Sequence, residues 1–399
     1  MTNNTPSLRF KGFAGAWEQR NLSELSSVRT GFPFDSKTFD DNGRYLVITN
    51  GNIQDDDCQV NNGIGNRVDI DESKVLKEYI LNVGDILVTM DGNVGRVAKV
   101  AHKEQILAQR VGRLTSYVNG EFLFQLLRSG SFSASMTEAS HGGTIKHISL
   151  KDISTFGTQV PTNETERKQI GDCLFCFDQF ITLRLRKLEK LMQLKYSLLT
   201  KMFPSTGAVM PALRFKGFVK AWEQRKLGDS VIMNRFLQIG AEELESLNTG
   251  NGDVTLLPSS RNYDWKCNSN DVDQTLINDA EIITVGRARN ANTKYSNGKF
   301  IASQSHIIES FNKNKLDTKY LYYFISKHEK EFYSAESTYP MFTKQDFDEI
   351  KLFYSKELDE QHKIARLFTN LENIIALHQR KLGLLKSLKS SLLFKMFPN

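Results

Sequence analysis

Apolar residues recur in alternating steps of four and three along residues 166–203, and the same pattern returns along residues 360–397. The first seam is Ile170, Leu174, Phe177, Ile181, Leu188, Leu191, Leu198 and Met202. The second seam is Ile364, Phe368, Leu371, Ile375, Leu382, Leu385, Leu392 and Met396. Such spacing over more than four heptads predicts a long helix that buries one stripe against a partner. The two stretches therefore predict two long helices that pair within the chain.

Polar residues interrupt both seams at the same places. Arg184 and Lys195 fill two seam positions in the first helix, and His378 and Lys389 fill them in the second. Polar residues in a seam lower stability but can fix register. We therefore predict that these four residues help to set the alignment of the helices.

A second repeated segment precedes each half of the chain. Residues 8–22 read LRFKGFAGAWEQRNL, and residues 213–227 read LRFKGFVKAWEQRKL. This pair is offset by 205 positions and the helices by 194, so the intervening material is about eleven residues shorter in the second half. Since solenoid repeats have much shorter periods, the pattern indicates duplication of a whole domain.

Between the repeated ends, both halves read as variable α+β bodies. Short β-rich runs with glycine-containing turns predict strands at 44–49, 85–90, 94–100, 281–285 and 299–302, with helices at 121–129 and 319–330. Residues 140–150 predict a loop leading into a strand, and Thr165 is the predicted N-cap of the first long helix. The predicted domains are a first body at 1–163, a first long helix at 164–204, a linker at 205–212, a second body at 213–357 and a second long helix at 358–399.

Composition fits a globular protein of two or three domains, with 399 residues of which 40% are hydrophobic and 25% charged. No run of 18 apolar residues exists, so we expect a cytoplasmic protein without a membrane span. The net charge of +6 favours a polyanionic partner, although many basic proteins bind no nucleic acid. Four scattered cysteines predict neither a disulfide framework nor a metal site, and the pair Cys173 and Cys176 is interpreted as helix packing.

Catalytic motifs are missing from the sequence. It contains no phosphate-binding GxxxxGK[ST], no GxGxxG after a strand, no HExxH, no GxSxG and no Asn-Pro-Pro-aromatic tetrapeptide. Residues 69–74 place carboxylates near a lysine, as nuclease metal sites do, but such a run is more typical of a solvated turn. No enzyme active site can therefore be identified from the sequence.

Several loops combine glycine with side chains that can read bases. Arginine pairs with guanine, and asparagine or glutamine with adenine, through two hydrogen bonds each. The candidate DNA-binding residues are Asn50, Asn52, Asn93, Arg96, Gln109, Arg110, Arg113, His141, Lys146, His147, Arg261, Arg287, Arg289, Asn290, Asn292, Lys294 and Gln304. Polar loops of this kind also occur on proteins that bind no DNA.

A family resemblance rests on several segments together. They are VGDILVTMDGNVGRVAKV at 83–100, GTIKHISLKDIS at 143–154, VPTNETERKQIG at 160–171, YPMFTKQDFDEIKL at 339–352 and LDEQHKIARLFTNLENII at 358–375. With the duplicated architecture, they make the chain resemble the specificity subunit of type I restriction–modification systems.

The resemblance implies a non-catalytic subunit that binds double-stranded DNA. Each body would be a target recognition domain for one half of a bipartite, asymmetric site, and the long helices would form an antiparallel coiled coil that sets their spacing. Two methyltransferase (modification) subunits would dock on this frame, and nuclease/translocase (restriction) subunits would join them. No cofactor is expected in this chain, since S-adenosylmethionine, ATP and Mg²⁺ would belong to the partner subunits. The alternative is a coiled-coil scaffold whose bodies bind proteins or glycans.

Arg287→Ala or Arg289→Ala is expected to weaken recognition of one half-site, because each change removes a guanidinium from the loop predicted to read bases. Loss of a bidentate base contact costs about 1–3 kcal/mol. Titration of the complex with duplexes altered in one half-site at a time measures the effect. Undiminished binding by both variants would remove this loop from the interface.

Overall fold

The computed structural model describes residues 5–54, 58–70, 77–143, 145–205, 208–260, 265–286, 292–329 and 344–398. The chain forms two compact units, and each contains one body with parts of both long helices. Unit 1 comprises Met1–Arg186 and Gln379–Asn399, and unit 2 comprises Lys187–His378. This division cuts through both long helices, whereas the domain boundaries drawn from the sequence set the helices apart and stay a prediction.

Unit 1 is a mixed α+β structure. Its strands are β1 (Glu18–Asn21), β2 (Ser26–Thr30), β3 (Tyr45–Ile48), β4 (Arg67–Val68), β5 (Ile86–Thr89), β6 (Val97–Lys99), β7 (Gln105–Leu107), β8 (Val111–Ser116) and β9 (Gly157–Val160). Its shorter helices are α1 (Leu22–Leu25), α2 (Gly120–Leu127), α3 (Ser131–Ala139) and α4 (Leu150–Ser154).

The described strands of the first body form three sheets. The antiparallel sheet has the order β2-β8-β5-β6, a second sheet has the order β4-β3-β7, and β1 pairs with β9 as a two-stranded ribbon. All four residues of β5 are buried, as expected for a continuous apolar run covered on both faces. The strands predicted at 85–90 and 94–100 correspond to β5 and β6, which pair antiparallel.

Two local predictions for unit 1 are wrong. Residues 140–150 lead into helix α4 and not into a strand, because Ser149 and Asp152 form a capping box at its start. Thr165 is not the N-cap of the first long helix. The Asn163 side chain accepts hydrogen bonds from the backbone N–H groups of Thr165 and Glu166 at 2.8 and 3.3 Å, so the cap lies two residues earlier.

Unit 2 is also α+β, around a larger sheet. The strands are β10 (Glu223–Lys226), β11 (Val231–Met233), β12 (Gln238–Ile239), β13 (Val254–Leu257), β14 (Lys266–Cys267), β15 (Asn278–Gly286), β16 (Thr293–Ser303), β17 (Ser305–Ser310) and β18 (Lys351–Tyr354). The shorter helices are α6 (Ala241–Ser246), α7 (Thr318–His328) and α8 (Lys344–Asp348). Seven strands follow the order β11-β17-β15-β16-β13-β14 with β12 beside β16, and β10 pairs with β18 as a separate ribbon.

The two long helices confirm the heptad prediction. The first, α5, spans Glu164–Met202 and the second, α9, spans Leu358–Met396, each with 39 residues. Every predicted apolar seam residue is buried or half-buried. At 1.5 Å per residue, each helix is roughly 58 Å long.

The repeated segment 8–22 closes unit 1 with a clasp of charge and aromatic contacts. Arg9 donates two hydrogen bonds to the fully buried carboxylate of Glu166, at 2.5 and 2.8 Å. The Leu8 N–H donates to the carbonyl of Lys395 at 2.9 Å, in the last turn of α9. Trp17 lies edge-on to Phe397, with ring centroids 6.2 Å apart. One segment thus contacts the start of α5 and the end of α9.

The segment 213–227 builds the same clasp in unit 2. Arg214 donates to Glu360 at 2.6 and 2.7 Å, and Glu360 is fully buried. The Leu213 N–H donates to the carbonyl of Lys201 at 2.8 Å. Trp222 lies edge-on to Phe203 at 6.5 Å. The sequence repeat therefore corresponds to a repeated packing role.

One acid in each unit, the buried Asp178 and the half-buried Glu372, links the two long helices to the body. In unit 1, Asp178 accepts from Lys389 at 2.6 Å and from Gln125 of α2 at 2.7 Å. Burial alone would raise the pKa of Asp178, but the charge and hydrogen bond of Lys389 lower it below its usual value. In unit 2, Glu372 accepts from Lys195 at 2.6 Å and from Tyr323 of α7 at 2.8 Å.

Glu360→Ala is expected to lower the free energy of unfolding of unit 2 by about 3–5 kcal/mol, because it leaves the mostly buried Arg214 guanidinium without its carboxylate. Urea unfolding followed by circular dichroism measures this loss. Asp172→Ala is the matched control, since solvent screens the exposed pair of Lys168 and Asp172 on α5 and its loss should change stability little. Equal effects of the two changes would show that the clasp contributes little.

Candidate nucleic-acid interface

Three loops of the first body meet at Asp91. Arg110 donates to Asp91 Oδ2 at 2.8 Å, and His147 Nδ1 is hydrogen-bonded to Asp91 Oδ1. The His147 ring lies perpendicular to that of His141, with centroids 5.4 Å apart. The loops at 91–96, 109–113 and 140–147, which carry most of the candidate DNA-binding residues of the first body, thus form one surface. We call the residues Asp91, Asn93, Gln109, Arg110, His141, Lys146 and His147 the Asp91 surface.

The sheet explains why these loops converge. Strand β5 ends next to the start of the antiparallel strand β8, with Thr89 opposite Val111, so the turn after one strand lies beside the turn before the other. The third loop joins through the Gly92 N–H, which donates to the carbonyl of Lys146 at 2.9 Å. Gly92 has φ of +71° and Gly95 has φ of +77°, and a Cβ on Gly95 would lie 2.9 Å from the Met136 side chain. A tight glycine turn is therefore required here.

The Asp91 surface is polar and mostly exposed. Asn93, Gln109, His141 and Lys146 are exposed, and the side chain of Arg110 keeps 61% of its accessible area. Burial alone would raise the pKa of Asp91, but the hydrogen bonds and charges of Arg110 and His147 lower it. Asp91 thus stays anionic and orients the Arg110 guanidinium and the His147 ring. Beside it, the Asn93 amide oxygen can accept from Arg96 at 2.7 Å.

Three predicted candidates of the first body have structural roles. Asn52 is 1% exposed, and its amide bonds Thr49 and the carbonyls of Asn61 and Ile64. The Arg113 side chain is 12% exposed and pairs with Asp85 at 2.6 Å. Half-buried Asn50 accepts from the Met90 N–H at 3.1 Å. These bonds are internal to the body, so Asn52 and Arg113 in particular are poorly placed to contact bases.

The second body is described only in part near its predicted loops. Arg261, Arg287, Arg289 and Asn290 lie outside the described residues. Gln304 is exposed in the turn between β16 and β17.

Two further candidates of the second body lie in its interior. Asn292 and Lys294 are buried. Lys294 Nζ donates to the carbonyl of Pro258, and burial lowers the pKa of Lys294 to about 8. Asn292 and Lys294 therefore contribute less exposed polar and charged surface to the second body than the sequence indicates.

Sequence reasoning missed the groups that position these turns. Asp91 was absent from the candidates, although an acid directly after a buried strand and before Gly92 could have indicated it. In the second body, Asn234 contacts His306 at 3.1 Å, and Arg235 pairs with Glu309 while lying over the Phe236 ring at 4.8 Å. Both residues follow β11 in an ordinary polar turn, so the sequence offered no signal for them.

Other predicted features contribute no site in the described parts of the chain. There, no group of three or more His, Cys, Asp or Glu side chains is arranged to hold a metal ion. Residues 71–74, which carry most of the proposed nuclease-like run, lie outside those parts. Among the helices that are described, none has the length and apolar character needed to cross a bilayer. Cys173 is half-buried and Cys176 is exposed, and both are free thiols.

Asp91→Asn is expected to lower the stability of the first body by about 1 kcal/mol at pH 7, because the charged hydrogen bonds of Asp91 are partly screened by solvent. A carboxylate with a lowered pKa stabilises the folded state above its unfolded-state pKa of 3.8. The difference from wild type should therefore persist at neutral pH and shrink only as the pH falls below 3.8.

Thermal unfolding between pH 3 and pH 8 measures this dependence. Asp41→Asn removes the same charge from an exposed position of the same body and serves as the control. If Asp91→Asn and Asp41→Asn behave alike at pH 7, Asp91 does not organise the loops.

Comparisons with known proteins agree over most of the chain. The model of the family described as "Type I restriction modification DNA specificity domain" matches residues 15–193 and again residues 220–387. A relative from Methanocaldococcus jannaschii, the "Putative type I restriction enzyme MjaX specificity subunit", is 24% identical over 390 residues, covering 92% of this chain and 89% of the relative.

Two solved structures share the fold. The type I restriction–modification S subunit from M. genitalium has a TM-score of 0.71 and 17% identity, with 99% of both chains covered. A chain solved in a study of assembly and conformational transition of the type I R-M system has a TM-score of 0.51 and 15% identity, covering 96% of this chain and 98% of that one. Because the family model covers both repeats, and with them most of the sequence, the chain belongs to the family of type I restriction–modification DNA specificity domains.

Proposed function

We propose that the two bodies of this type I specificity subunit each read one half of a bipartite, asymmetric DNA site. One observation carries the proposal, namely that two unlike bodies are held by two similar frames. Each frame consists of a repeated segment and the ends of the two long helices that it contacts. The first body has a four-stranded and a three-stranded sheet, and the second has one sheet of seven strands. A reader of two different half-sites needs different recognition surfaces on equivalent supports.

The frame meets each body at a two-stranded ribbon. In unit 1, Glu18 of β1 lies opposite Val160 of β9. In unit 2, Glu223 of β10 lies opposite Tyr354 of β18. The offsets between these pairs are 205 and 194, as in the repeats, so the ribbons are equivalent and each body begins and ends at one place. This supports the two bodies as exchangeable recognition domains.

The long helices are proposed to pair as an antiparallel coiled coil. Asp178 bonds Lys389 inside unit 1, and Lys195 bonds Glu372 inside unit 2. Moving forward seventeen residues on the first helix corresponds to moving back seventeen on the second, which is an antiparallel register. Lys195 and Lys389 are also repeat equivalents, as are Asp178 and Glu372. We infer that these pairs fix the register, with Arg184 and His378 contributing from the remaining polar seam positions.

Apolar side chains exposed on the long helices support docking of two methyltransferase subunits. Phe180 and Leu183 are exposed on α5, and their repeat equivalents Ile374 and Leu377 are exposed on α9. Exposed apolar clusters of this kind mark protein interfaces. Two equivalent clusters fit two copies of one partner, and nuclease/translocase subunits would join that complex.

We assign the catalytic steps of the complex to the partner subunits. This chain would recognise DNA without catalysis, while S-adenosylmethionine, ATP and Mg²⁺ would be bound by the methyltransferase and nuclease/translocase subunits. The complex would act in the cytoplasm, where the DNA lies. A scaffold for proteins or glycans has no support from the family to which the chain belongs.

Replacement of residues 227–350 by the corresponding body of another specificity subunit is expected to change one half of the methylated site and leave the other half unchanged. The cut points follow β10 and precede β18, so the ribbon stays intact. Sequencing of methylated DNA from cells that carry the chimera and the methyltransferase subunits measures the outcome. Exchange of residues 22–156 is the reciprocal control and should change only the other half.

A chimera that folds and assembles but methylates the original site would refute modular reading. Duplex binding by the wild-type complex should also weaken steeply as salt rises, because phosphate contacts release counterions. A scaffold that binds only proteins or glycans would show no such slope.

A further inference from the structure

Two exposed, non-glycine residues occupy the same left-handed turn position in the two bodies. Arg110 has φ of +68° and directly precedes β8, and Gln304 has φ of +49° and directly precedes β17. Strand β8 lies between β2 and β5, and β17 lies between β11 and β15. The two residues are 194 positions apart, the same offset that relates the long helices. Topology and spacing thus make Arg110 and Gln304 equivalent.

A side chain at this position costs conformational free energy. Residues with a Cβ are uncommon at positive φ, and arginine and glutamine lack the short polar side chain that helps asparagine there. Backbone strain of this kind concentrates at functional sites. Glycine would relieve it, and both halves nevertheless keep a long polar side chain.

Another left-handed residue of the first body shows the contrast. Glu104 has φ of +60°, and 194 positions later the second half has Gly298, with φ of +108°. At that place the turn itself does not require a side chain, since the second half has glycine there. At the Arg110 and Gln304 position, neither half uses glycine.

Neighbouring groups fix the backbone at Arg110 and directly after Gln304. The Arg110 N–H donates to Thr30 Oγ1 at 3.2 Å, and its carbonyl accepts from the Met90 N–H at 3.2 Å. In the second body, the Ser305 N–H donates to Gln238 Oε1 at 3.0 Å. Anchored turns present their side chains with little freedom left to lose on binding.

The exposed ends of the two side chains can read bases. Asp91 holds one arm of the Arg110 guanidinium and leaves other N–H groups for a ligand. Within the described residues, the amide of exposed Gln304 makes no hydrogen bond. Arginine bonds the O6 and N7 atoms of guanine through a pair of hydrogen bonds, and glutamine bonds the N6 and N7 atoms of adenine.

We propose that Arg110 and Gln304 are the equivalent base-reading residues of the two bodies, Arg110 for a guanine in one half-site and Gln304 for an adenine in the other. Asp91 acts as a positioning residue for Arg110. The inference rests on the proposed function, because it assumes that each body reads one half-site.

Arg110→Gly and Gln304→Gly test the assignment in the complex with the methyltransferase subunits. Glycine relieves the left-handed backbone. In Arg110→Gly this gain offsets the lost hydrogen bond to Asp91, so the melting temperature should change little, and in Gln304→Gly it should stay the same or rise. Affinity for the DNA site that the wild-type complex methylates should fall by about 5- to 150-fold, the range of one bidentate base contact. Each variant should lose discrimination at one base pair, in a different half-site for the two variants.

Gln304→Arg gives a gain-of-function test. It should shift the preference at the affected base pair from adenine to guanine and leave the other half-site unchanged. Glu104→Gly is the matched control, because it relieves a left-handed residue of the first body at a position where the second half already has glycine. It should leave affinity and discrimination unchanged.

If both glycine variants still discriminate between bases as wild type does, the assignment of Arg110 and Gln304 is wrong. The proposed function would survive that result, provided that the wild-type complex methylates a bipartite site. A drop in melting temperature together with uniform loss of binding to all sequences would also overturn it, since the residues would then be structural. Absence of any site-specific methylation by the wild-type complex would instead refute the proposed function.

Discussion

A buried carboxylate at the start of each long helix holds this structure together. Removing a carboxylate from water is costly unless it is paired and hydrogen-bonded, and Glu166 and Glu360 are satisfied by arginines from the repeated segments. Each arginine segment also contacts the last turn of the other long helix. One constraint therefore explains why the segment is repeated. A buried charge at one helix end requires a partner from a distant part of the chain. The bodies are inserted between these clasps and are free to differ.

The same constraint explains why the bodies can diverge while the frame does not. Arg9 and Arg214 need the same surroundings in both units, and so do the acids Asp178 and Glu372. The partners supplied by the bodies are less restricted, since Gln125 fills in unit 1 the role that Tyr323 fills in unit 2. An amide and a phenol donate the same kind of hydrogen bond, so this contact tolerates a change of residue type.

The sequence predicted the frame well because its signals are periodic or repeated. The periodic stretch at 166–203 located α5 within two residues at each end, and the stretch at 360–397 did the same for α9. The candidate site was predicted as loops but not as an arrangement, because the meeting of residues 91–96, 109–113 and 140–147 depends on strand order, which local patterns do not encode. Burial of Asn52, Arg113 and Lys294 was missed for the same reason, since polar residues in loops look alike whether they face solvent or bond inward. The positive φ of Arg110 and Gln304 had no sequence signal, because neither residue type favours it.

The discontinuity of unit 1 has a consequence for the order in which the chain folds. Its core includes Met396 and Phe397, which pack with Trp17 and Phe122 from the other end of the sequence. Unit 2, in contrast, is built from a single continuous stretch of the chain. During synthesis, unit 2 has all of its residues while unit 1 still lacks the aromatic group that closes its core. The first body is thus made first, but its core is completed only after Met396 and Phe397 have been added.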